Sequence, residues 1–118
     1  MDKKRLNLNG VTGGYLVLDR SVFILGTETT TIGRHSENDC VIDDAYISRY
    51  HAKIDFENGK YVIYDLNSKA GTFINNIKIE RQALNNGDII VLGKYPVMFM
   101  YDENEKFDRF NKDTQHLS

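Results

Sequence analysis

The chain has 118 residues, and its 15 Lys and Arg against 17 Asp and Glu leave a formal charge of -2. That length suits one domain, since two would need about 100 residues or more each. It lets a folded chain bury roughly two-thirds of its unfolded surface, enough for a core without metal or disulfide staples. The charge balance excludes a general nucleic-acid binder, which needs a broad basic face. One cysteine, Cys40, excludes an intrachain disulfide and a structural zinc site of several thiolates.

No apolar run approaches the roughly 18 residues of a membrane span, so no membrane insertion is expected. Met1 to Asn7 carries charge with no apolar stretch behind it, which does not read as a secretory signal. A cytoplasmic location is the expectation. Hydrophobic residues at 41% and charged residues at 27% are those of a globular chain.

Residues 1–14 form a polar lead-in. Short β-branched and aromatic runs then follow one another between dense turn signals. Tyr15 to Leu18, Val22 to Leu25 and Thr29 to Ile32 are the first three. Ala52, Ile54 and Phe56 alternate with Lys53, Asp55 and Glu57, the period-two pattern of a half-buried strand. Asn58-Gly59 supplies a two-residue hairpin turn of the I′ type, and Tyr61 to Tyr64 is its partner. Gly71 to Ile74, Ile77 to Ile79, Ile89 to Leu92 and Val97 to Tyr101 complete the series. Pro96 cannot donate to a ladder, so it belongs at the beginning or edge of the last strand. No persuasive helical stripe is present before residue 102. Strands this short at roughly 8–12-residue spacing predict an all-β sandwich or barrel. Residues 102–118 read as a charged tail, with Phe107 and Phe110 spaced to share one side of a helical turn.

Three loops hold unusual groups. Thr31-Ile32-Gly33-Arg34-His35 ends a strand and presents an arginine. Ile47-Ser48-Arg49-Tyr50-His51-Ala52 places a hydroxyl beside a guanidinium. Asp65 to Phe73 adds the ammonium of Lys69 on a turn. Together they suit a focused anion pocket: planar Arg offers paired donors, Ser one more, and Lys a mobile charge. Read singly, each signal is weak, and Arg34 is equally consistent with a solvated strand end. Ser48 and His51 could also suggest a nucleophile and base. No triad partner and no Gly-x-Ser-x-Gly elbow accompany them, so no catalytic residue is expected. His35, His51 and His116 lack ligand spacing, so no metal site and no cofactor is expected.

In order, the chain carries Ile32-Gly33-Arg34, Asn38-Asp39-Cys40-Val41-Ile42, Ser48-Arg49-Tyr50-His51, Ser68-Lys69-Ala70-Gly71-Thr72, Asn75-Asn76 and Leu84-Asn85-Asn86-Gly87-Asp88. This succession resembles the forkhead-associated (FHA) domain, whose pattern runs Gly-Arg, Ser-Arg-x-His, Ser-x-Asn-Gly-Thr, Asn-Gly and Leu-x-x-Gly-Asp. The resemblance covers residues 15–101. It implies an FHA-type β-sandwich of about eleven short strands with functional loops at one end, acting as a phosphothreonine-peptide binding module and signalling adaptor, not an enzyme. The implied partner is a phosphothreonine-containing protein or peptide, the product of a Ser/Thr kinase.

By that resemblance Arg34 would contact the phosphate, Ser48 would donate its hydroxyl to it, and Arg49 would add a further contact. Gly33 would turn the backbone so that Arg34 is aimed. His51 would brace the loops, Gly71 and Thr72 would shape the third loop, and Asn75 would support it. Ala70 departs from the pattern, because the family's Asn at that position usually bonds the peptide backbone. Losing that contact would weaken binding by about 1–3 kcal/mol, with Lys69 next door offsetting part of the loss. Ala70 therefore also supports an alternative, a phosphate-independent interaction or scaffold domain of the same fold. Asn76 stands where glycine is usual and tolerates the same left-handed turn. Cys40 reads as a small core hydrophobe.

Overall fold

The computed structural model describes residues 13–101, and the readings for residues 1–12 and for the tail with Phe107 and Phe110 lie outside them. Among the described residues there is no helix and there are eleven strands: β1 (Gly14–Val17), β2 (Val22–Ile24), β3 (Thr30–Gly33), β4 (Cys40–Val41), β5 (Ala52–Glu57), β6 (Lys60–Asp65), β7 (Thr72–Ile74), β8 (Ile77–Ile79), β9 (Arg81–Ala83), β10 (Ile89–Leu92) and β11 (Tyr95–Tyr101). They form a five-stranded sheet in the order β9-β6-β5-β3-β4 and a six-stranded sheet in the order β2-β1-β11-β10-β7-β8. All pairings are antiparallel except β3 with β4.

Period-two patterning builds the sandwich. Leu16, Ile90, Leu92, Val97 and Phe99 turn inward from the larger sheet and meet Ile32, Ala52, Ile54 and Ile63 from the smaller one in one buried cluster. Each such Val, Leu, Ile or Phe side chain contributes roughly 1.5–3 kcal/mol by leaving water. Cys40 belongs to this cluster. Burial, with Asp39 beside it, pushes its thiol up to about 11, so it packs as a hydrophobe.

Local chemistry explains the turns. Asn58 and Gly59 have φ of 51° and 81° and join Glu57 to Lys60 directly, the geometry a two-residue I′ turn requires. Pro96 faces Val91 of β10, while β1 pairs with β11 only from Met98 onward. The missing N–H of Pro96 therefore breaks no ladder. Asn75 and Asn76 both adopt positive φ, 48° and 75°, so asparagine does fill the usual glycine position of that turn.

Three readings are adjusted. Gly14 is the first residue of β1 and not the last of the lead-in; a Cβ there would lie 2.5 Å from the Tyr61 ring. Strands β4 and β9 were not visible as runs. The first is a two-residue parallel bridge to Ile32 and Gly33, and the second, Arg81-Gln82-Ala83, is a polar edge strand alongside Val62 to Tyr64.

Candidate functional site

At the end of β3 the chain passes Gly33 and delivers Arg34 beside the segment that precedes β5. Arg34 N–H donates to Ser48 O at 3.0 Å and His35 N–H to Arg49 O at 3.1 Å. The guanidinium Nε–H donates to Ile47 O at 3.0 Å. Arg34 is thus tied at backbone and side chain to the loop that carries Ser48. Gly33 has another role than the turn expected of it, for its φ is not positive. A Cβ there would sit 2.1 Å from Arg49 O and 2.7 Å from Asn38 Nδ2. Glycine is required because two backbones cross in contact.

His51 is wholly buried and spans the two other loops. Its Nδ1 accepts from Ser48 N–H at 3.0 Å, which places the ring proton on Nε2, 3.0 Å from Gly71 O. Burial lowers the His51 pKa, against the opposing pull of the Gly71 carbonyl and of Asp65. Ser48 in turn accepts from Lys69 N–H through Oγ at 3.0 Å. That bond uses the oxygen and leaves the hydroxyl proton to be donated outward. Asp65 anchors the third loop. It accepts from Ser68 Oγ at 2.6 Å and from Thr72 Oγ1 at 2.7 Å, and Ser68 Oγ accepts from Gly71 N–H at 3.0 Å. Burial alone would raise the Asp65 pKa, but these hydrogen bonds from Ser68 and Thr72 outweigh it and lower it. Gly71 has φ of +96°, which its non-glycine replacements rarely adopt.

Between these loops lies an open groove of about 780 Å³ lined by Arg34, Ala45, Tyr46, Ile47, Ser48, Arg49, Tyr50, Lys69 and Ala70. All five candidate binding residues share it. Three of its lining side chains are cationic and none is acidic, on a chain of formal charge -2. Among the described residues no ion pair engages Arg34, Arg49 or Lys69. The arrangement suits a compact dianion, with fork-shaped guanidinium donors and one hydroxyl proton converging on it.

Two tyrosines border the groove. Tyr50 stacks on His35 at 5.1 Å and donates to Glu37 at 3.3 Å. Tyr46 packs under Lys94 Nζ, 4.4 Å from the ring centroid. Asn75 lies elsewhere. Its amide donates to Asp88 and its carbonyl accepts from Ile89 N–H, both at 3.0 Å, so it ties the β7–β8 turn to β10 and not to the Lys69 loop. Asn38 and Asp65 carry supporting roles that the sequence reading missed. Asn38 Nδ2 donates to His35 O at 2.9 Å and to Arg49 O at 2.7 Å, locking the first loop to the second. The cue was present, since Asn and Asp in loops favour bonds to backbone, but the partners are distant in sequence.

The family model for the FHA domain matches residues 30–93. The glycogen accumulation regulator GarA of Mycolicibacterium smegmatis is 36% identical over 80 residues, which cover 68% of this chain and 51% of the relative. The chain therefore spans about half the length of that relative. An FHA domain solved in a study of phosphothreonine-dependent FHA domain interactions superposes with a TM-score of 0.72 at 29% identity, covering 75% of this chain and 96% of the other. Mycobacterium tuberculosis EmbR, solved in complex with a low-affinity phosphopeptide, gives 0.71 at 34% identity over 75% of this chain and 24% of EmbR. With its two-sheet sandwich and its ordered loop motifs, the chain belongs to the FHA domain family.

Proposed function

We propose that this chain is a phosphothreonine-dependent binding module that serves as a signalling adaptor in the cytoplasm. Its ligand is a protein segment phosphorylated by a Ser/Thr kinase. The observation that carries the reading is the groove itself. Arg34, Arg49 and Lys69 line a common groove that no acidic residue lines, and Ser48 Oγ is held by Lys69 N–H with its own proton uncommitted. A phosphothreonine carries about -1.5 to -2 charges at neutral pH and three acceptor oxygens, and these groups match it in sign and donor count. His51, Asp65 and Asn38 touch backbone and hold the loops in place, so they act by positioning. His51 is not a base for Ser48, because its Nδ1 faces the Ser48 N–H and not the hydroxyl.

The test is a binding screen against degenerate peptide libraries centred on phosphothreonine, phosphoserine and unmodified threonine. Selective retention of phosphothreonine peptides is expected, and the enriched flanking residues define the partner class. Equal retention of all three by a folded sample would sink the proposal and favour phosphate-independent recognition, consistent with Ala70 in the groove.

A further inference from the structure

The turn between β10 and β11 stands against the groove from outside the three loops described above. Leu92 pairs with Tyr95, so Gly93 and Lys94 are its two central residues, and Gly93 takes a φ of 69°. A positive φ at the first central position of a two-residue hairpin turn favours glycine. Contacts require glycine as well. Gly93 N–H donates to Gly71 O at 2.9 Å, the same carbonyl that lies 3.0 Å from His51 Nε2. A Cβ on Gly93 would lie 2.5 Å from Tyr46 O and 3.0 Å from Tyr46 Cβ. The turn is therefore fixed both to the segment leading into Ser48 and to the Gly71 loop. The residue after Gly93 has a set place beside the groove.

That residue is Lys94, which is exposed. Its Nζ lies 4.4 Å from the ring centroid of Tyr46, within cation–π range, and Tyr46 is a half-exposed lining residue of the groove. The ring restrains the ammonium without using up its three N–H donors. Among the described residues Lys94 makes no ion pair. Asp43 and Asp44 precede Tyr46 on the same segment, but neither lines the groove, and Asp44 Oδ1 accepts from Tyr46 N–H at 2.9 Å. Tyr50, the other exposed tyrosine of the groove, has opposite surroundings, since its hydroxyl donates to Glu37. An anionic side chain is thus attracted to the Tyr46 wall and repelled from the Tyr50 wall.

We propose that Lys94 is a specificity-determining residue of the groove, which reads one acidic side chain flanking the phosphothreonine of the ligand. The proposal rests on the phosphothreonine reading and narrows it to a substrate class: phosphopeptides with an Asp or Glu that reaches the Tyr46 wall. The ligand carboxylate accepts from the Lys94 ammonium, and its methylene group lies against the exposed part of the Tyr46 ring. Arg34, Arg49 and Lys69 serve the phosphate in that reading, so Lys94 is the cation left for a second negative charge. The pair is solvent-exposed, which limits its effect to roughly two- to fivefold in Kd. It is also positional, because Gly93 and Tyr46 hold the ammonium at one place along the groove.

The test is an oriented phosphothreonine peptide library, beside a matched threonine library, on the wild-type chain, Lys94→Gln and Lys94→Glu. Wild type should enrich Asp and Glu at one flanking position. Lys94→Gln should show no enrichment there, and Lys94→Glu should enrich Lys or Arg at the same position. Calorimetric titration then compares one selected peptide with its counterpart carrying alanine at that position. The acidic peptide should bind wild type roughly two- to fivefold more tightly, and Lys94→Gln should bind the two alike. Lys94 is exposed, so both variants should melt as wild type does. An acidic preference absent from wild type, spread evenly over all flanking positions, or unchanged in Lys94→Glu would overturn the inference and leave selective phosphothreonine retention intact. Equal retention of the phosphothreonine and threonine libraries by wild type is the other failure. It overturns the phosphothreonine reading itself, and the inference with it.

Discussion

Lys69 holds Ser48 through its backbone and not through its charge: the Lys69 N–H donates to Ser48 Oγ across 3.0 Å. Two loops separated by 21 positions are joined at a hydroxyl expected to touch phosphate. The bond restrains the Ser48 side chain and leaves its hydroxyl proton uncommitted. It also leaves the Lys69 ammonium free to move with the ligand.

Ser48→Ala therefore removes a phosphate donor and the acceptor for Lys69 N–H together. Loss of a hydrogen bond to a charged group is about 1.5–3 kcal/mol, which is roughly ten- to a hundredfold in Kd. Arg34→Ala should lose at least as much, because both the charge and the tie to Ile47 O disappear. Arg34→Lys should fall between, since a point charge replaces a fork. Calorimetric titration with a phosphothreonine peptide reads all three, and thermal melting should show stability little altered. Unchanged affinity in Arg34→Ala would remove this arginine from the phosphate site.

Gly33→Ala places a methyl group 2.1 Å from Arg49 O, where only backbone can give way. Overpacking of this kind destabilises by about 1–3 kcal/mol, at roughly 4–8 °C of Tm per kcal/mol for a domain of this size. Because the displaced backbone belongs to Arg49, phosphopeptide affinity should fall as well. A melting temperature equal to wild type would show that the two segments separate at little cost.

Ala70→Asn should tighten phosphopeptide binding. An amide in the groove beside Lys69 can pair with the peptide backbone, and recovering 1–3 kcal/mol corresponds to about five- to a hundredfold. Unmodified threonine peptides should gain far less in absolute affinity. No gain with phosphopeptide would place the peptide backbone away from position 70.

Stability should fall in mild acid because of His51. Its folded pKa is lowered by burial, so the native state binds the proton less readily than the unfolded chain, whose histidine titrates near 6.5. The stabilisation is present in full above about pH 6.5 and is lost as pH falls toward and through the folded pKa. A protonated Nδ1 cannot accept from Ser48 N–H, so the loops loosen at the same time. Asp65, also lowered, shares the sign but acts only in the carboxylate range. Urea midpoints at pH 5.5 and 7.5, measured without peptide, should differ in wild type and converge in His51→Gln. Omitting peptide keeps the phosphate's own ionisation near pH 6 out of the comparison.

The β-branched and aromatic runs and their period-two alternation were sufficient for an all-β sandwich or barrel and for nine of the strands, and the ordered motifs chose the sandwich. Alternation is a local consequence of the pleat, written into residues such as Ala52, Ile54 and Phe56. The Asn58-Gly59 turn is local in the same way, since its two positive φ values are the choice of those two residues. Strands β4 and β9 were not legible, because one is a two-residue bridge and the other is polar. Their strand character comes from neighbours, Ile32 and Gly33 for the first and Val62 to Tyr64 for the second.

The ordered motifs identified the groove residues as a set, and the fold does gather Arg34, Ser48, Arg49, Lys69 and Ala70 around one space. What the tertiary structure alone decided is how they are held. That Gly33 answers a backbone crossing, that Asn38 clamps Arg49, that Asp65 anchors Ser68 and Thr72, and that Asn75 serves β10 are facts of contact. Side-chain alternation and turn chemistry act over two to four residues and can be read along the chain. A hydrogen bond between loops exists only after the sheets have packed and brought distant segments within 3 Å of each other.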